Sequence, residues 1–270
     1  MVLCAGPLRT PQLLMLSGIG PAGHLRDLGV EVVWDLPGVG ANLHDHPSAP
    51  LAWPVVHGTT WPDDDTPDNR QRYADQRRGP LASFGEAGGF LRCGRNAPAP
   101  DVELTPMLMD FTGETGPGFT CLVTLLRPES RGTLRLRSTD PAARPVLDPR
   151  YLDREADHHL LVEGMRRALD LCAAPVLRAY LGEPTTPSPV SDDALSSHLR
   201  DNLISMDHPA GSCRAGTDGD SVVDPTLKVH GVDGLSVVDS SVMPALPRGN
   251  THAPSVMIGE RGADLLLGDP

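Results

Sequence analysis

Glycine and proline each occur 28 times in 270 residues, and both are scattered along the whole chain without a repeat. Proline fixes φ and removes a backbone donor, while glycine opens turn conformations, so this scatter limits the length of helices and strands. The chain is held to short elements joined by many turns. A collagen-like architecture is excluded, and a hydrophobic content of 39% is enough for a packed core rather than disorder. The length suits one large domain or two modest ones.

Between the turn signals the pattern predicts a specific order of elements. Residues 2–5 read as a short buried strand ending at Gly6-Pro7. Residues 10–17 read as a helix with Thr10 as its cap and Pro11 in its first position. A second helix over 22–28 ends at Gly29, and a strand follows over 31–34. Residues 54–80 read as an exposed loop. Short apolar runs between Phe84 and Leu136, at 90–91, 102–104, 121–126 and 132–136, predict an antiparallel sheet. Helices are predicted over 157–172, with Leu160, Leu161, Met165, Leu169 and Leu171 available for burial, and over 192–202. Residues 184–189 form a loop, 234–239 a strand running into a turn, and 254–267 a final helix.

A net charge of −12 disfavours a nucleic-acid partner or an anionic membrane surface. No apolar run is long enough to span a bilayer, and no basic segment precedes an apolar one at Met1. The cysteines, Cys4, Cys93, Cys121, Cys172 and Cys213, form no CxxC pair, which fits a reducing, cytoplasmic setting without a disulfide framework. His44-Asp45-His46 contains metal-ligand types, but a metal site is not expected there. Cys213 is read as a packing residue.

Two segments carry candidate chemistry. Residues 205–216 hold His208, and residues 237–254 hold His252, each in a loop framed by glycine, proline and small residues that let a ligand approach closely. Histidine is the side chain best suited to exchanging a proton near neutral pH. Pro254 presets the first turn of the last helix, whose unpaired N–H groups and partial positive charge suit an anion.

The residues Cys4-Ala-Gly-Pro-Leu-Arg-Thr-Pro-Gln-Leu-Leu-Met-Leu-Ser-Gly-Ile-Gly-Pro21 closely resemble the second signature of the glucose–methanol–choline (GMC) oxidoreductases. Gly38-Val-Gly-Ala-Asn-Leu-His-Asp-His-Pro47 is similar to the segment that follows it there. Residues 127–137 and 148–151 resemble the start of that family's C-terminal region, and the two histidine segments resemble its last motifs. The resemblance runs from residue 3 to about 267.

That resemblance implies an α/β fold with FAD as cofactor and an alcohol as substrate. Residues 1–47 and 206–270 would belong to a partial FAD-binding domain, and 48–205 to an α+β substrate domain built on an antiparallel sheet. His208 matches the position that faces flavin and substrate and would act as general base. His252 matches the second site and would hydrogen-bond the developing alkoxide. Asp239, Ser240 and Ser241 at the end of a strand, with Ala253 and Pro254 at the helix start, would lie beside the cofactor. Electrons would pass to oxygen or another acceptor.

The family's opening strand, GxGxxG turn and helix, which grip the FAD pyrophosphate, are not recognised in this chain. Gly38-Val-Gly40 lacks the third glycine and is rejected as such a fingerprint. The chain is therefore expected to be a truncated member, or one whose N-terminal half is a separate polypeptide. The alternatives are an inactive fragment that does not bind FAD and a lyase that keeps FAD.

Overall fold

The computed structural model describes residues 1–58, 60, 65–82, 87–109, 118–185 and 191–268. In chain order the elements are β1 (Val2–Leu3), α1 (Gly6–Leu16), β2 (Ile19–Gly20), α2 (Ala22–Asp27), β3 (Trp34–Asp35), β4 (Pro47–Pro54), α3 (Pro67–Gln76), β5 (Gly89–Leu91), β6 (Val102–Met107), β7 (Gly118–Leu125), β8 (Thr133–Arg135), β9 (Val146–Asp148), α4 (Glu155–Cys172), α5 (Pro175–Arg178), α6 (Asp192–Asn202), β10 (Ile204–Ser205), β11 (Ser236–Val237) and α7 (His252–Leu267). None of the helices among the described residues is long and apolar enough to cross a membrane.

These elements form two compact units. The first gathers Met1–His46, Arg127–Arg154 and the residues from Asp207 onward; the second gathers Pro47–Leu126 and Glu155–Met206. The expected unbroken middle unit of 48–205 is thus corrected in one stretch. Residues 127–154 carry the β8–β9 ribbon, and Leu134 and Leu136 pack into the core of the first unit. For the same reason 132–136 does not belong to the larger sheet, and Phe84 lies outside the described residues.

The first unit is built on small pieces of sheet. β1 pairs in parallel with β11, and β2 in parallel with β3. Its core joins Leu14, Met15, Leu25, Val39, Leu134, Val222, Val237 and Ile258. The helix expected over 10–17 begins four residues earlier, and Pro11 sits inside it. Interior proline leaves one carbonyl without its helical donor. Here the Ser212 hydroxyl donates to that carbonyl, on Pro7. Thr10 does not cap the helix; its hydroxyl donates to Asp239 at 2.6 Å and its oxygen accepts from Ala5 N–H at 3.1 Å.

Gly40 illustrates how tightly this unit is threaded. Its φ is +75°, and a Cβ there would lie 2.2 Å from the Leu134 carbonyl oxygen, while Leu134 N–H donates to the Gly40 carbonyl at 2.6 Å. Gly29 has almost the same φ, +73°, with nothing within 4 Å of a Cβ. The left-handed backbone alone costs a side chain about 1–2 kcal/mol, and overpacking adds about 1–3 kcal/mol. Gly40→Ala is therefore expected to destabilise by about 3 kcal/mol or more and Gly29→Ala by about 1 kcal/mol. Equal shifts in the urea midpoints of the two variants would remove the steric argument.

The second unit contains a five-stranded antiparallel sheet in the order β10-β4-β7-β6-β5. β4 has prolines at 47, 50 and 54, and proline disfavours an interior strand. β10 pairs only with Ser48 and Pro47, so the backbone edge at Pro50 faces past its end. The Pro50 carbonyl there meets His198 Nε2 at 2.7 Å. α4 packs on the sheet through Leu161, Gly164, Met165, Ala168 and Cys172, and Leu171 faces solvent. That stripe replaces part of the expected burial set. The loop expected over 54–80 contains α3, capped by the Thr66 hydroxyl accepting from Asn69 N–H, with none of its residues buried. Residues 186–189 of the predicted loop lie outside the described residues.

Candidate functional site

The segment from His44 to His46 runs antiparallel to that from His208 to Ala210. His44 N–H donates to the Ala210 carbonyl at 3.1 Å, and Ala210 N–H returns the bond to His44 at 2.9 Å. In an antiparallel register, moving two residues forward on one side and two back on the other keeps the partners opposed on one face. That rule sets His46 across from His208. Their Nδ1 atoms are 3.0 Å apart and the rings meet edge to face, with centroids 5.2 Å apart.

Asp45 locks this pair from the backbone side. Its Oδ1 accepts from His46 N–H at 2.7 Å and from His208 N–H at 2.9 Å, and its Oδ2 accepts from the Tyr151 hydroxyl at 2.6 Å. The residue before His208, Asp207, has φ of +57°, so the loop turns sharply just where the imidazole is presented. His208 is half-buried. Burial holds its pKa below the ordinary histidine value, with Asp45 and Asp207 acting in the opposite direction. The neutral, proton-accepting imidazole is favoured near neutral pH.

His46 is buried, and its Nε2 lies 3.2 Å from the Pro247 carbonyl. Sequence reading attached no role to it or to Tyr151. The antiparallel pairing of two distant loops, which no local spacing announces, makes both visible. His44 is also buried, but among the described residues neither of its ring nitrogens has a hydrogen-bond partner. Burial, then repulsion from Arg131, from His46 whenever that ring is protonated, and from Arg127, push its pKa down to about 3, with the Asn42 backbone acting the other way.

The second expected histidine occupies a different setting. His252 is the first helical residue of α7 rather than the residue before it, is exposed, and makes no side-chain hydrogen bond among the described residues. Ala253 is exposed beside it and Pro254 half-buried. Thr251 caps this helix without a side-chain hydrogen bond, and its first turn carries no acidic residue. The first-turn N–H groups of α7 are therefore not consumed by a capping side chain. None of the bonds that hold His208 involves His252.

Asp239 is committed to protein donors. Its Oδ2 accepts from Gly6 N–H at 3.0 Å and from Thr10, and its Oδ1 from Ser241 N–H at 2.8 Å. The carboxylate thus ties the start of α1 to the turn after β11. Ser240 is buried and its hydroxyl donates to the Pro209 carbonyl at 3.5 Å; Ser241 is fully buried. The Ser240 hydroxyl thus reaches the residue after His208, and the Ser241 backbone carbonyl accepts from Cys213 N–H at 2.9 Å. Cys213 lies in the same core, where burial pushes its thiol far up and away from nucleophilic character.

One glycine pattern escapes the sequence reading. Gly18-Ile-Gly20-Pro-Ala-Gly23 spells GxGxxG. A phosphate-binding fingerprint needs a strand leading directly into the turn and a helix leading out. Here the pattern follows helix α1, and β2 lies inside it. A Cβ on Gly18 would sit 2.4 Å from the Glu31 carbonyl, so this glycine serves the approach of the 31–33 segment.

Comparison with known proteins gives consistent matches. Two family profiles described as GMC oxidoreductase match residues 1–48 and 128–259. An uncharacterized GMC-type oxidoreductase of Mycobacterium tuberculosis is 42% identical over 277 residues, covering 98% of this chain and 52% of the relative. An alcohol dehydrogenase [acceptor] of Pseudomonas putida is 35% identical, covering 99% and 51%. An oxygen-dependent choline dehydrogenase of Pseudomonas aeruginosa is 34% identical, covering 99% and 50%. Among solved structures, a formate oxidase of Aspergillus oryzae, described for modification of its FAD, superposes with a TM-score of 0.90 at 30% identity, covering 99% of this chain and 54% of that one. A fungal aryl-alcohol oxidase gives 0.85 at 29% identity, covering 99% and 54%. The chain spans about half the length of the relatives it matches.

Proposed function

This chain belongs to the GMC oxidoreductases, a FAD-dependent family, and we propose that it carries the proton-accepting part of an enzyme that oxidises the CH–OH group of an alcohol. The observation that supports this most is the fixed, half-buried His208. Its backbone and one ring nitrogen are held by Asp45 and His46, and its Nε2 has no partner among the described residues.

The residues fit one part of FAD better than another. An anionic ring edge suits the start of α7, where the Thr251 side chain makes no capping bond and the first turn carries no acidic residue. The pyrophosphate finds no such match, because the single GxGxxG in the chain lacks the required strand before it. None of the described residues is matched to that grip. FAD, when bound, supplies the hydride acceptor. His208 takes the hydroxyl proton at Nε2 as the carbinol carbon gives up hydride. His252, exposed at the start of α7, offers a hydrogen bond to the developing alkoxide. Asp239, Ser240 and Ser241 hold the backbone around the cofactor rather than reach it with their side chains. A small alcohol is the substrate class; oxygen or another oxidant removes the electrons.

The test is anaerobic. The chain is produced with FAD, both alone and with the part of the M. tuberculosis relative that this chain does not match supplied as a second polypeptide. A panel of alcohols is mixed with whichever preparation holds FAD, and the flavin absorbance is followed. Bleaching by at least one alcohol is expected. Stoichiometric FAD that no alcohol bleaches would overturn the redox reading and favour a non-redox role for the flavin.

A further inference from the structure

His46 has an arrangement that determines which nitrogen of His208 is free to act. A carbonyl can only accept, so the 3.2 Å contact between His46 Nε2 and the Pro247 carbonyl requires the proton of a neutral His46 to sit on Nε2. Its Nδ1 is then a lone-pair acceptor. The His208 ring nitrogen 3.0 Å from it, Nδ1, must therefore carry the proton of that contact. A neutral His208 with its proton on Nδ1 has its lone pair on Nε2.

We propose that His46 is a positioning residue that fixes the tautomer of His208, with the Pro247 carbonyl setting His46, His46 setting His208, and Nε2 of His208 left as the proton acceptor. The proposal rests on the reading of His208 as general base and adds the device that makes the right nitrogen basic. Asp45 holds the frame by accepting from the backbone N–H groups of both histidines, so the two rings keep their register. Tyr151 orients that carboxylate from its other oxygen. When Nε2 accepts a proton from an alcohol hydroxyl, His208 becomes an imidazolium. Its Nδ1–H remains bonded to His46, which stays neutral and stabilises the new charge. No oxidant or further proton carrier is needed for this step.

The arrangement also explains why His46 is buried while His208 is half-exposed. The residue that reports the carbonyl's orientation is shielded from water, which would otherwise offer its Nδ1 a competing donor. The residue that must meet a substrate is not.

The experiment is nitrogen NMR of the imidazole rings in the intact 270-residue chain without flavin, at a pH where imidazoles are neutral. His208→Gln and His46→Asn assign the two rings by loss of their signals. In the wild-type chain His208 is expected to show a protonated Nδ1 and an unprotonated Nε2, and His46 the reverse. His46→Leu removes the acceptor and should move both His208 nitrogen signals toward the averaged values of a ring exchanging between tautomers. His46→Asn places an amide oxygen where Nδ1 stood and should retain the wild-type His208 pattern. A wild-type His208 protonated at Nε2, or a His46 protonated on both nitrogens, overturns the proposal. So does a folded His46→Leu chain whose His208 signals do not move. The wild-type spectrum decides the central point even if the leucine variant does not fold. Because no flavin or alcohol is present, this result can fail while alcohols still bleach the flavin, and the reverse.

Discussion

Replacing His208 by alanine should slow flavin reduction by an alcohol about 100-fold or more, which corresponds to about 2.7 kcal/mol of lost barrier lowering. The expectation follows from position and protonation together. His208 is held on one side by Asp45 and His46, it is partly withdrawn from water, and burial keeps its proton affinity below that of a free histidine. Alanine removes the acceptor and leaves water, which is a poorer and unpositioned base. His252→Asn should have a milder effect, because His252 makes no bond that organises the site and asparagine preserves a hydrogen-bonding group. Stopped-flow mixing of FAD-loaded protein with alcohol separates the two. Parental reduction rates in His208→Ala would remove histidine from the chemical step.

Acidification from pH 7 to pH 5 should weaken the first unit by about 2 kcal/mol through His44 alone. The folded pKa, about 3, is depressed below the ordinary value of 6.5. A depressed group favours the folded state fully above the unfolded pKa. That contribution begins to be lost as pH falls through 6.5, because the unfolded chain takes up protons that the folded chain refuses. The loss is complete only below about pH 3 and then amounts to on the order of 5 kcal/mol. Burial is the first cause, with Arg131 and Arg127, and His46 once it is protonated, adding repulsion. His24, which burial also depresses, acts in the same direction over the same window. His44→Leu keeps the apolar volume and removes the titrating ring, so its urea midpoint should fall less between pH 7 and pH 5 than that of the parent. Parallel pH dependences for the two proteins would show that His44 is not the source.

Much of the second unit could be read from its residues. α6 appears over its predicted range because Ser191 caps it and its apolar residues recur at helical spacing. β5, β6 and β7 follow from alternating and continuous apolar runs. β4 could not be read this way, since its prolines argue against a strand. They are tolerated because β10 stops short and His198 meets the exposed carbonyl, and both facts depend on residues 148 or more positions away. α3 was hidden for the opposite reason. None of its residues is buried, so no apolar period marks it, and it stands on its cap and its Pro67 start.

The GMC membership, the mixed helix and sheet architecture and the prominence of His208 and His252 were all contained in the sequence. They depend on motif order and on residue types whose chemistry suits proton exchange. Tertiary structure alone decided what those residues touch. Asp239 became a brace for Gly6 and Thr10, 229 or more positions away, and His44-Asp45-His46 separated into a buried orphan, a backbone lock and a partner for His208. Local spacing dictates which face a side chain shares with its neighbours. Which distant loop lies opposite is settled by the pairing of backbone groups that must find partners once they leave water, and that pairing brought His46 to His208.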